Sequence, residues 1–294
     1  MNARGKGILC IVTSAFGFAL MAFFVRLCDD FGGPVSSFQK SLFRNLIALF
    51  IAAVVFWRGR RARRHAACDD GRPVRLGGKA WQLLLGRSFA GCCGIFGNFY
   101  ALSHIPIGEA MTLNKTAPFF AVLFSWIFIK EKAGLRQILY LVVAFLGAML
   151  VMKPGFQGEA TFATLCALGG GLGAGIAYTC VRELGLLKVE GALIVLFFSA
   201  FSTLASLPFM AAGIDPMTPA QMAIMLGAGC GAAIGQFGIT AAYRFAPPRE
   251  VAVYDYTNVI FTSLFGFFFF AQVPDLLSVA GFLLIVFAGL RSRH

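Results

Sequence analysis

Charge is what this sequence has least of: only 13% of its 294 residues are Asp, Glu, Lys or Arg, where soluble domains carry about a quarter. Histidine is limited to His65, His104 and His294, all outside or at the edges of the apolar runs. A serine–histidine hydrolase or a histidine-ligated metal centre therefore lacks its parts. The eight cysteines show no CxxC spacing and lie mostly within apolar stretches, so they read as small packing residues rather than redox or metal groups. Asn114-Lys115-Thr116 echoes the end of a phosphate-binding loop, but its glycine pattern and preceding strand are missing, and no ATP site follows. Intramembrane aspartyl proteases need a second aspartate in a Gly-x-Gly-Asp setting, and Asp255 has no such companion. No cofactor, no metal and no catalytic set is expected.

What is present is apolar: 59% hydrophobic residues, with 33 phenylalanines. Apolar stretches cover 7–25, 35–57, 81–103, 108–129, 135–152, 161–181, 191–212, 220–243, 250–271 and 276–290. Each runs for roughly 15 to 24 residues, about what a helix needs to cross a bilayer. The expected fold is all-α, a polytopic membrane protein of ten transmembrane helices. Arg4 and Lys6 precede the first stretch as they would a signal peptide, but the run is long and no small-residue cleavage site follows, so it is expected to be retained.

The net charge of +12 would suit nucleic acid, but its placement argues against that. Arg4, Lys6, the arginines from Arg58 to Arg75, Lys79, Lys130, Lys132, Arg136, Arg182, Lys188, Arg244, Arg249 and Arg291 all fall on one side if the N-terminus is cytoplasmic. The opposite loops carry little beyond Lys153 and acids such as Asp29, Asp30, Glu159, Asp215 and Asp275. This positive-inside pattern predicts an inner-membrane protein with both termini in the cytoplasm and a basic cytoplasmic loop at 58–80.

The halves also repeat. Pro106, Glu109, Thr116, Phe120, Phe124 and Phe128 recur 141 positions later as Pro247, Glu250, Thr257, Phe261, Phe265 and Phe269, and Gly94 and Gly97 as Gly235 and Gly238. A shorter match at a second constant offset pairs Cys10, Gly17, Val25 and Arg26 with Cys166, Gly173, Val181 and Arg182. Residues 1–153 and 154–294 thus form two five-helix units, and an odd number of spans per unit inverts the second in the membrane, the arrangement associated with alternating access. Pro118 should kink the fourth span, and since its mate is Val259 the break is expected in one half only.

Charges within spans need a partner or water. Lys115 is the sharpest case, and Asp255 is its expected counter-charge; Asn114 is the repeat-mate of Asp255. Polar residues at helical spacing extend the site: Asp255, Asn258 and Thr262 on the ninth span, Arg87 and Asn98 on the third, Gln236, Thr240 and Tyr243 on the eighth, and Lys40, Ser41 and Arg44 on the second. Together they outline a wet interior, the alternative for Asn98 and Gln236 being helix–helix hydrogen bonding. Tyr178, Tyr254 and Tyr256 are candidate ring contacts for a cation or flat heterocycle, whereas Tyr100 and Tyr243 read as interface anchors. Glu109 and Glu250 start their spans and read as helix-dipole partners, with a proton relay as the alternative. Lys115 and Asp255 could hold the two charges of a zwitterion; if they neutralise one another, Arg44, Lys40 and Arg87 supply the charge and an organic anion fits better.

The stretch from Phe99 through Pro106, Glu109, Phe119 to Phe128, Lys130-Glu131-Lys132 and Gly147 resembles the EamA domain of the drug/metabolite transporter superfamily. Tyr254-Asp255-Tyr256-Thr257, Phe267 to Phe270 and Val273-Pro274-Asp275 resemble the same domain's end, and Phe38-Gln39-Lys40 to Arg44 its arginine-bearing second helix. The resemblance implies a ten-helix basket whose central cavity opens to each side in turn and carries small metabolites without ATP. Where the second copy would have an acid before Val-Pro-Asp, this chain has Gln272; the first keeps Glu131. The expected function is secondary transport of an amino-acid-like, nucleoside-like or S-adenosylmethionine-like metabolite, with export of organic cations or drugs as the alternative, and a membrane-embedded enzyme or a non-transporting scaffold as different classes. Expected partners are the small-molecule substrate, membrane lipid and a coupling proton or exchanged metabolite, with no nucleic acid, in a monomer or homodimer.

Overall fold

The computed structural model describes residues 2–33, 35–65, 76–105, 107–154, 161–210 and 213–292. Regular structure among them is helical: α1 (Ala3–Asp30), α2 (Ser37–His65), α3 (Gly78–His104), α4 (Ile107–Asn114), α5 (Ala117–Phe124), α6 (Leu135–Met152), α7 (Thr161–Leu186), α8 (Gly191–Ser206), α9 (Pro219–Phe245), α10 (Pro248–Val251), α11 (Thr257–Phe270) and α12 (Leu276–Arg291). A π turn over Ser125–Ile129 continues α5, and a 3-10 turn over Ala252–Tyr256 joins α10 to α11. Among the described residues, eight helices are long and apolar enough to cross a membrane, and α12 is a shorter apolar one. The basic loop expected at 58–80 begins later than that, because α2 continues to His65; residues 66–75 lie outside the described residues, as do Pro106 and Glu159.

The bundle is apolar outward and small or polar inward, the reverse of a water-soluble domain. Phe50, Trp57, Phe268 and Leu283 are each about two-thirds exposed or more, while Ile11, Ala15, Ala48, Ala121, Ser14, Ser88 and Gln39 are closed off. In lipid the outward side chains lose nothing by exposure, so helix association rests on close backbone approach and interhelical hydrogen bonds.

Two crossings carry that approach. The antiparallel pair α1 and α9 meets where a Cβ on Gly238 would lie 2.8 Å from the Cys10 carbonyl oxygen and one on Gly17 2.6 Å from the Gly235 nitrogen. The pair α3 and α7 meets alike, a Cβ on Gly97 falling 2.7 Å from the Cys166 carbonyl oxygen and one on Gly173 3.2 Å from the Gly94 Cα. Any side chain there would push the helices apart. Further pairs are α2 with α8 and α6 with α12, and α1 and α7 lean on α11 and α5 respectively.

The ends are fastened by caps. Asn2 accepts from the Gly5 N–H, and Thr218 and Gln221 form a reciprocal capping box at the start of α9. Gln221, fully buried, also donates to the carbonyls of Cys28 and Gly33, tying that start to the end of α1. Arg4 donates to the Ser292 carbonyl, so the start of α1 and the end of α12 share one face. Asp29, Lys40, Asp215, Lys153 and Asp275 occupy the opposite face, where Lys40 pairs with Asp29 and Lys153 with Asp275, each at 2.5 Å. Asp275 caps α12 through the Ser278 N–H, and the Lys153 ammonium, with that donor second, holds its carboxyl down at about 2.

Candidate functional site

The site is organised by two helices that stop and restart along their length. In the first, α4 ends at Asn114 and α5 begins at Ala117; the Thr116 hydroxyl donates to the Leu113 carbonyl at 2.5 Å. In the second, the 3-10 turn ends at Tyr256 and the Thr257 hydroxyl donates to the Tyr254 carbonyl at 2.7 Å. A threonine hydroxyl that takes the carbonyl three residues back competes with the helical ladder. The expectation that Pro118 breaks one half alone is therefore corrected: matched threonines interrupt both, and the second does so without proline.

The breaks bring Lys115 and Asp255 together, with Nζ 3.6 Å from Oδ2 and side-chain exposures of 18% and 10%. This is charge contact beyond hydrogen-bond range, and among the described residues the Asp255 carboxylate accepts no hydrogen bond. Tyr256, the repeat-mate of Lys115, closes the pair from behind by donating its hydroxyl to the Lys115 carbonyl at 2.9 Å. Asn114 lies beside the pair and packs on α7, where a Cβ on Gly170 would sit 3.0 Å from its Nδ2. Asn98 reaches the same glycine from α3, and its buried Oδ1 has no donor.

A second group lies on α2, α3, α8 and α9. Arg87 is 3% exposed; its Nη2 donates to Gln236 at 2.9 Å, and its guanidinium lies 3.4 Å from the centre of the Phe198 ring. Its Nε and Nη1 have no acceptor among the described residues. Arg44, half-buried, donates to the Met21 sulfur at 3.0 Å, with its Nε left unpaired. No described carboxylate lies within 4.0 Å of either arginine, whereas Lys40 is neutralised by Asp29. Tyr178 stacks on Tyr243, with ring centroids 5.0 Å apart.

The structure thus brings Asn98, Asn114, Lys115 and Asp255 into one group and Arg87 with Gln236 into a second, while Arg44 meets Met21 on α1. Two expected members point elsewhere. Asn258 donates to the Ala15 carbonyl on α1, and Tyr254 turns to α12, donating to the Gly289 carbonyl at 2.7 Å and accepting from Ser292. The polar stripe on α11 is spent within the bundle, as Thr262 donates back to the Asn258 carbonyl. Tyr243 is not an interface anchor; it is fully buried. Sequence reasoning also missed Phe198, which carries no signal beyond being one phenylalanine among many, while Tyr256, expected to offer its ring beside Asp255, instead gives its hydroxyl to the Lys115 carbonyl. The Glu109 side chain lies outside the described residues.

On the face shared by the termini, Arg182 grips Glu131 through Nε at 2.9 Å and Nη2 at 2.7 Å, and Ser125 donates to the other Glu131 oxygen at 2.8 Å. Arg182 also reaches the last carbonyls of α9, at Tyr243 and Arg244. The corresponding residues at the other face, by the two repeat offsets, are Arg26, Gln272 and Gly266. Arg26 lies over the Phe270 ring at 4.7 Å instead.

Comparison with known proteins follows these features. The model of the EamA-like transporter family matches residues 5–153. The chain is 28% identical over 285 residues to the pseudopaline exporter CntI of Pseudomonas aeruginosa, covering 96% of this chain and 94% of that one. It is 25% identical over 196 residues to a riboflavin transporter of Brucella anthropi, covering 65% and 69% of the two. A solved crystal structure superposes with a TM-score of 0.80 over 98% of this chain and 97% of the other at 15% identity, a likeness of fold alone.

Proposed function

The chain belongs to the EamA-like transporter family and is a multi-pass membrane transporter rather than an enzyme; on that premise we propose that it is a secondary carrier of a small polar metabolite, working by alternating access between two inverted five-helix repeats. The ten-span reading joins α4 with α5 and α10 with α11 as single interrupted spans and counts α3 and α12 as one span each.

One observation carries the proposal: contacts that the repeat pairs in sequence are paired again in space. Gly97 meets Cys166 as Gly238 meets Cys10, and Thr116 bonds Leu113 as Thr257 bonds Tyr254. Lys130 and Ala271, also mates, both end their helices in the left-handed conformation, at φ 65° and 52°. Gly7 on α1 abuts Ala246 at the end of α9, and Gly185 near the end of α7 abuts Arg244 there, so the mates α1 and α7 run in opposite directions. Two related halves of opposite sense can exchange conformations, which opens a central site to one side and then the other. Asn98, Asn114, Lys115, Asp255, Gln236, Arg44 and Tyr178 line that site, while Asn258 and Tyr254 brace it. The positive-inside distribution supports an inner-membrane setting with both termini cytoplasmic.

The test is transport in proteoliposomes with amino acids, nucleosides, adenosyl compounds and quaternary amines, with and without a proton gradient. Saturable flux of a member of the panel, lost in Asp255→Asn that still folds, is the expected result. A correctly folded protein that moves none of them, or flux indifferent to Asp255, overturns the proposal.

A further inference from the structure

We propose that Arg44 and Arg87 form a binding subsite for a carboxylate, so that the cargo is an organic anion; the inference rests on the carrier reading above. Lys115 is already matched by Asp255 at 3.6 Å and Lys40 by Asp29, so both lysines are accounted for. Arg44 and Arg87 are not. Among the described residues, Arg87 is more than nine-tenths buried with two nitrogens lacking an acceptor, and Arg44 has only a thioether partner and one orphaned nitrogen. Buried guanidinium N–H groups left without acceptors are costly, and a ligand that satisfies them recovers that cost on binding.

Both arginines are held beside α9: a Cβ on Gly231 would lie 2.7 Å from the nitrogen of Met21, the partner of Arg44, and Gln236, the partner of Arg87, is five residues further along. Their elements are also linked directly, since Asn45, next to Arg44, donates to Ser202 on α8, one helical turn beyond the Phe198 that Arg87 covers. Arg44 is seven residues from the start of α2 and Arg87 nine from the start of α3, which begins at the opposite face. At about 1.5 Å per residue, both sit roughly 10 to 14 Å inside the bundle, below headgroup depth. That placement favours a soluble acid over a lipid phosphate. Gln236 fixes one edge of Arg87, leaving its Nε and Nη1 for a planar, bidentate acceptor, the geometry a carboxylate matches.

The experiment measures thermal stabilisation of the purified full chain by succinate, glutamate and citrate, with succinamide and choline as uncharged and cationic controls. Carboxylates should stabilise the wild type and the controls should not. Arg44→Gln and Arg87→Gln should each weaken carboxylate binding about tenfold to a hundredfold, and Arg87→Lys should lose more than half of that because it cannot bind in a bidentate manner. If Arg87→Gln does not fold, Arg44→Gln alone decides. Carboxylate binding unchanged in Arg44→Gln, or equal stabilisation by succinamide, overturns the subsite. Flux of choline or a nucleoside that both substitutions leave intact upholds the carrier and overturns the anion subsite. Arginine-dependent carboxylate binding by a protein that moves no solute upholds the subsite and overturns the carrier.

Discussion

Replacing Glu131 by glutamine should release one end of the molecule. The carboxylate binds Arg182 through two nitrogens and accepts from Ser125, and the two charged side chains are only 11% and 16% exposed. Glutamine keeps the shape and an acceptor for Ser125 but leaves the guanidinium buried without a counter-charge, at a cost of about 3–5 kcal/mol for a pair at this depth. Arg182 also holds the end of α9 through the Tyr243 and Arg244 carbonyls, so the loss falls on the joint between α7, α9 and the turn after α5. The other face has Gln272 in the matching position, so E131Q makes the two ends alike. If the pair forms only while the terminal face is closed, even 3 kcal/mol shifts that equilibrium by roughly a hundredfold. Half-buried Cys180, two residues before Arg182, reports on this end, and fully buried Cys28 reports on the other. Reaction of each with a membrane-impermeant thiol reagent, quantified by mass spectrometry, should rise at least tenfold at Cys180 and fall or hold at Cys28. Unchanged Cys180 labelling beside a lowered Tm would refute the reasoning, since the pair would then stabilise every state equally; a rise at both cysteines would mean general loosening and refute it too.

Three other outcomes are expected. At 3.6 Å and an effective dielectric near 20, Lys115 and Asp255 attract by about 4–5 kcal/mol before desolvation, so Lys115→Met or Asp255→Asn alone should lower the Tm more than the double substitution does, while all three abolish uptake; an additive double mutant would count against coupling. Gly97→Ala and Gly238→Ala place a methyl 2.7 and 2.8 Å from the Cys166 and Cys10 carbonyls and should each cost about 1–3 kcal/mol, read as similar losses in thermal melts; a neutral change at one and a large one at the other would contradict the paired geometry. Asp275 has a folded-state value of about 2 against 3.8, so its contribution is complete above about pH 4 and disappears as pH falls through 2. The Tm difference between wild type and Asp275→Asn should therefore be flat above pH 4 and close below it; a gap that widens on acidification would reverse the assignment.

The apolar runs, the charge asymmetry and the duplication are visible in one dimension because lipid imposes them residue by residue: a span must be long and uncharged, and a repeat preserves its offsets. Helices, their approximate ends and the pairing of Lys115 with Asp255 were legible on those grounds. Three-dimensional packing alone decided which polar groups remain unpaired. Asn258 and Tyr254 share a stretch of chain with Asp255, but the side chain of each is taken up by the carbonyl of another helix, at Ala15 and Gly289. Arg44 and Arg87 look no different in sequence from Lys40, yet among the described residues only Lys40 of the three has an acid within reach. The second helix break was hidden because a proline announces itself in sequence, whereas a threonine hydroxyl breaks the ladder only when its own backbone offers it a carbonyl. Composition is local, but the satisfaction of a buried charge depends on every helix packed around it, and those neighbours are set by the fold.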